Sequence, residues 1–174
     1  DRGTVRLGRF YTRRLRRLLP ASSITVLVTM LASFLLISAL SWQQVAETSA
    51  AAALYASNLF FAREANDYFA ADAETNPLLH FWSLAVEEQF YIIFPLIFVA
   101  SLRLGVGFAF FISLLLFFGS LVLSEIYYDV SPSATFFHLP ARIFEFFVGV
   151  IAFLILRYSK IPTLVSDYGP GLGL

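Results

Sequence analysis

Hydrophobic residues in this chain come in long runs. From Leu18 to Ala46 no residue carries a formal charge, and a helix crossing a hydrocarbon layer about 30 Å thick takes about 20 mostly apolar residues. Residues 21–41 meet that length, and a second charge-free run covers residues 104–124. Two more runs carry ionisable groups near their starts: residues 81–102 with Glu87 and Glu88, and residues 139–156 with Arg142 and Glu145. The Ala-rich stretch 43–62 is helical in propensity, but its glutamines, Glu47, Asn58 and its Ser and Thr residues make it a poor lipid-facing span. The pattern predicts an all-α chain: a polytopic transmembrane helix bundle of about four spanning helices plus interfacial helices.

Composition supports that class. Hydrophobic residues make up 59% and charged residues 14% of the 174, against about 45–50% and about 25% in an ordinary soluble domain. Formal net charge is zero, so no overall balance points to nucleic acid or another charged partner. The lack of cysteine excludes disulfides and thiolate zinc sites. The two histidines stand in unrelated contexts, so neither a metal site nor a bound cofactor is expected. The chain starts at Asp1 and ends in a Gly-Pro-Gly stretch, which reads as a fragment of a longer protein.

Charge placement sets the number of spans. With four spans and an extracytoplasmic loop over about 43–79, one side holds Arg2, Arg6, Arg9, Arg13, Arg14, Arg16, Arg17, Arg103, Arg157 and Lys160. The other side holds only Arg63 and Arg142 among basic residues. Positive residues gather on the cytoplasmic side of membrane proteins, so the basic segment 2–17 and both ends are expected there. Making 43–62 a span would move Arg103, Arg157 and Lys160 outside and spoil the asymmetry. A basic start before an apolar run also describes a signal peptide, but this run is too long and three more spans follow.

Two constellations carry candidate chemistry. In RFYTRRLRRLLP, residues 9–20, a helix would gather arginines on one face, with Pro20 at the junction with the first span. Such a helix can rest on anionic lipids, or its arginines can grip phosphates in bidentate fashion. The second constellation is NPLLHFWSLAVEEQFYIIFP, residues 76–95. Helical spacing puts His80, Ser83, Glu87 and Tyr91 on one face with Glu88 beside them. Adjacent carboxylates inside a span are costly and should face protein or water. The face could be a catalytic site or a polar seam joining helices.

The phrase HFWSLAVEEQFYIIFPL resembles the signature of acyltransferase family 3 membrane proteins, especially members followed by an extracytoplasmic SGNH-type domain. LGRFYTRRLRRLLPA is similar to that family's basic cytoplasmic loop. FFHLPARIFEFFVGVIAF is similar to its later R-x-x-E-x-x-x-G segment, here Arg142, Glu145 and Gly149. The resemblance runs across nearly the whole chain and makes residues 1–174 part of that family's transmembrane domain. It implies O-acylation, usually O-acetylation, of a cell-envelope glycan such as lipopolysaccharide O-antigen, exopolysaccharide or peptidoglycan, in the bacterial inner membrane. Acyl-CoA, commonly acetyl-CoA, would be the donor substrate.

Residue by residue, the resemblance sets the donor phosphates near Arg13, Arg14, Arg16 and Arg17. It marks His80, Trp82, Ser83, Glu87, Glu88 and Tyr91 as signature positions lining the site. Arg142 and Glu145 match the later motif, though their spacing equally suits a structural ion pair. Members of the family open with a span carrying an Arg and a His about ten residues later, and no such pair occurs here. The general base is therefore expected on that span, with Glu87 or Glu88 orienting it and Tyr91 or Arg142 donating to the oxyanion; His80 is the one local alternative base. The fragment alone is expected to be inactive. Of the two glutamates, Glu87 is expected in the polar groove and the other against a neighbouring helix, through Arg142. The rival classes are a transporter or flippase-like subunit, which inverted repeats would favour, and a non-catalytic membrane assembly module.

Overall fold

The computed structural model describes residues 7–36, 42–65 and 76–158. Arg2, Arg6, Asp67, Asp72, Glu74 and Lys160 lie outside them, as do parts of the 21–41 span and the 43–79 loop. The described residues form seven helices: α1 (Leu7–Leu36), α2 (Trp42–Ala53), α3 (Ser57–Glu64), α4 (Phe81–Leu104), α5 (Val106–Val130), α6 (Pro132–Phe137) and α7 (Leu139–Tyr158). Among them α1, α4, α5 and α7 are long and apolar enough to cross a membrane. The all-α, four-span fold class follows.

Helix α1 differs from the sequence expectation in one respect. It runs unbroken through Pro20 and fuses the basic segment to the first apolar run. A proline removes one rung of the helix and its ring crowds the preceding turn. Spanning helices nonetheless accommodate it, and α4 does the same with Pro95.

The stretch 43–62 is two short helices, each too short to span. They part at Leu54–Ala56, where Tyr55 takes φ 52°, a region few bulky residues adopt. Its side chain and backbone explain why this conformation is held. The Tyr55 hydroxyl shares a 2.9 Å hydrogen bond with Ser22 of α1, and its carbonyl accepts the Gln89 amide of α4 at 3.1 Å. The break between α2 and α3 thus ties α1 to α4.

Helices α4 and α5 are joined by Gly105 alone, at φ 121°, where a side chain would be strained. The core is largely aromatic. Phe90 of α4 stacks on Phe146 of α7 with centroids 4.3 Å apart, and Phe94 meets Phe147 edge-on. Polar links fix these contacts, because lipid tails are as apolar as the side chains and supply little drive for helices to associate. Buried Asn58 of α3 and Gln89 exchange amide hydrogen bonds, and Asn58 also donates to the Phe137 carbonyl at 3.1 Å. Ser120 of α5 enters the first turns of α7, donating to the Pro140 carbonyl at 2.7 Å and accepting the Phe144 N–H at 3.0 Å.

Candidate functional site

The two sequence constellations meet at Arg14. Its Nε lies 3.0 and 3.1 Å from the two Glu88 carboxylate oxygens, and its Nη2 donates to both Glu88 and Glu87, the latter at 3.2 Å. The guanidinium carbon sits 3.4 Å from the centre of the Tyr91 ring. This is a forked ion pair backed by a cation–π contact, a geometry that lysine cannot reproduce. Three residues before Arg14, the Tyr11 hydroxyl donates to the Ile92 carbonyl at 2.9 Å. Rising numbers on α1 meet falling numbers on α4, so the pair is antiparallel here.

The glutamates differ in environment. The Glu88 side chain is 10% exposed, Arg14 19% and Glu87 45%. Glu88 is therefore the clamped partner, while Glu87 keeps an oxygen open. Helix spacing explains the sharing: the adjacent glutamates straddle the side of α4 that α1 covers. The neighbour that binds a glutamate is Arg14. The expectation of Arg142 in that role is corrected, because Arg142 is taken by Glu145 one turn along α7, with contacts of 2.8 to 3.1 Å.

Beside the cluster lies a cavity of about 460 Å³ with Tyr11, Arg14, Tyr55, Glu88, Tyr91 and Leu96 in its walls. Arg13, Arg16 and Arg17 are exposed on α1, and no described residue forms an ion pair with them. His80 and Ser83 stand apart from the cluster. His80 is exposed at the start of α4, and the Ser83 hydroxyl donates to its carbonyl at 3.0 Å. Trp82 instead faces α6 and α7, with its ring 4.5 Å from Phe136 and 4.9 Å from the Arg142 guanidinium. The signature therefore serves two places: Glu87, Glu88 and Tyr91 on one side of α4, Trp82 on another.

Sequence reasoning missed Tyr11, Asn58 and Gln89. Gln89 was conspicuous as a third polar residue beside two acids inside a span. Tyr11 precedes Arg14 by three, one helical step on the same face.

A bundle of apolar helices holding an arginine–dicarboxylate cluster beside a strip of open arginines is a multi-pass membrane protein with a polar internal site. The family model for an acyltransferase domain, acyltransferase 3, matches residues 2–164, and the chain belongs to that family. A Staphylococcus aureus (strain COL) protein whose name includes the words O-acetyltransferase is 37% identical over 163 residues, covering 88% of this chain and 26% of that protein. A Bacillus subtilis (strain 168) protein, with peptidoglycan O-acetyltransferase YrhL in its name, is 32% identical over 156 residues, 87% of this chain and 24% of its own. A Haemophilus influenzae protein without a functional name is 36% identical over 151 residues, 82% of this chain and 61% of its own. The chain thus spans about a quarter of the length of the two named relatives. No solved structure matches it.

Proposed function

We propose that the chain is the donor-binding and site-forming part of an O-acyltransferase of the bacterial inner membrane, moving an acyl group, most simply acetyl, from cytoplasmic acyl-CoA to a cell-envelope glycan. The observation that carries this reading is the convergence of the basic segment and the signature helix on one cluster, Arg14 with Glu87, Glu88 and Tyr91. An assembly module needs a polar seam but not an adjacent strip of arginines that no described residue pairs. Relatives named for O-acetyl transfer support the same class.

The geometry divides the arginines. A phosphate at Arg14 would meet two carboxylates, so the donor's phosphates fall to Arg13, Arg16 and Arg17, whose forks are open. Arg14 holds Glu88 in place. In transfer the acceptor hydroxyl oxygen bonds to the thioester carbonyl carbon, the C–S bond breaks, coenzyme A leaves as the thiol, and the hydroxyl proton passes through a base. Glu87, half exposed, is the carboxylate able to orient that base or stabilise its charged form.

The test uses the full-length protein. Glu87→Gln should lower acyl transfer by at least about tenfold, a barrier change of about 1.4 kcal/mol, with little change in melting temperature. Changing Arg13, Arg16 and Arg17 to glutamine should weaken acyl-CoA binding while membrane insertion persists. Full transfer per folded molecule in Glu87→Gln, with unchanged donor affinity in the arginine variant, would sink the proposal.

A further inference from the structure

On the side of α4 away from Arg14 lies a second cavity, of about 560 Å³, with Tyr128, Phe136, Phe137, Phe144, Arg142 and Glu145 in its walls. Its size falls within the range of small-molecule sites, about 300–1,000 Å³. We propose that it binds a neutral sugar ring of the acceptor glycan, which rests on the reading of the protein as a glycan acyltransferase.

The chemistry of the walls selects that ligand. The Phe136 ring is 49% exposed and that of Tyr128 more so, which offers flat apolar faces to the C–H faces of a pyranose. The polar side is a matched pair rather than a surplus of charge. Arg142 gives Nε and Nη2 to the Glu145 carboxylate, gives Nη1 to the Phe136 carbonyl at 3.2 Å, and lies over the Trp82 ring. A guanidinium held from three directions is already in position before a ligand arrives. Glu145 is 44% exposed and keeps lone pairs free, and the Tyr128 hydroxyl can donate or accept. Vicinal sugar hydroxyls also do both, so they can bridge such a pair, whereas a phosphate would be repelled by the carboxylate. The strip at Arg13, Arg16 and Arg17 has the opposite character, cationic and with no paired acid among the described residues.

Distance along the helix adds a constraint on the ligand. Trp82, which backs this cavity, and Tyr91, under Arg14, are nine positions apart, about two and a half turns, and so lie on opposite sides of α4. The sugar held here is therefore not the one acylated. The acceptor must be an oligosaccharide or a longer chain that reaches from this cavity to the reacting centre.

The experiment measures binding of maltotetraose and of the N-acetylglucosamine tetrasaccharide to the full-length protein in detergent, by saturation-transfer NMR and calorimetry. At least one should bind, and Glu145→Gln and Phe136→Ala should each weaken it at least about tenfold without moving the acyl-CoA Kd. A folded variant is checked by that same donor affinity. The proposal is overturned if neither sugar binds, or if binding is equal in wild type and both variants. Acyl transfer measured on the same samples separates the two ideas: intact transfer with indifferent sugar binding removes only the cavity, and sugar binding through Glu145 without any transfer removes only the enzyme reading.

Discussion

At Arg14 a cation is held inside an apolar bundle by two acids and an aromatic ring. Such a group is costly within a span unless partnered, and the partners are costly without it. Removing one member of a mostly buried pair leaves an uncompensated charge, a loss of about 3–5 kcal/mol, whereas replacing both by apolar side chains of similar volume is often neutral. Arg14→Met should therefore lower the unfolding midpoint in detergent markedly, and Arg14→Met with Glu88→Leu should recover most of it. Acyl transfer should stay absent in both. If the double variant is no more stable than the single, the pair is not the coupled unit described. Arg14→Lys should fall between, because an ammonium keeps the charge but loses the fork and the stacking on Tyr91.

Whether Glu88 faces Arg14 depends on the rotation of α4, and that is fixed next door in sequence by Gln89 and Asn58. Asn58 is fully buried and its amide serves both Gln89 and the Phe137 carbonyl. Asn58→Leu removes those bonds and takes a donor from the Gln89 amide oxygen and the Phe137 carbonyl, while the Gln89 N–H keeps the Tyr55 carbonyl, a cost of about 1–3 kcal/mol; a thermal melt should show it. Ser120 behaves differently. It stands between the Pro140 carbonyl and the Phe144 N–H, which are natural helical partners four residues apart. In Ser120→Ala those groups keep each other as helical partners, so stability should change by less than about 1 kcal/mol. These relations set the limits of what the sequence discloses. Four spans were legible because length, apolarity and the placement of basic residues define them, and the Arg142–Glu145 pair because helical spacing brings it together. The partner of Glu88 was not, since nothing local links positions 14 and 88. Nor was the break at Tyr55, whose left-handed backbone depends on bonds to Ser22 and Gln89 from two other helices.

Over the described residues, large side chains such as Ile24, Leu31, Leu35, Phe111, Phe118 and Leu156 point outward, a surface suited to an apolar solvent or to further apolar helices. The orientation in that solvent is set by charge. The proposed topology puts Arg9 to Arg17, Arg103 and Arg157 on the cytoplasmic side and leaves Arg63 and Arg142 outside with Glu125 and Asp129. Arg14 differs from Arg13, Arg16 and Arg17 in being paired, because the Glu87 and Glu88 carboxylates balance its charge. Reporter fusions after Ser41 and Asp129 should register outside, and fusions after Arg103 and Lys160 inside. Glutamine at Arg14 should leave all four readings unchanged, because that charge is already balanced. Glutamine at Arg9, Arg13, Arg16 and Arg17 together should blur the Ser41 reading, because those charges are open. An inside signal at Asp129 in the wild-type protein would refute the four-span arrangement, and would set the Arg142 cavity on the cytoplasmic face, away from any envelope glycan.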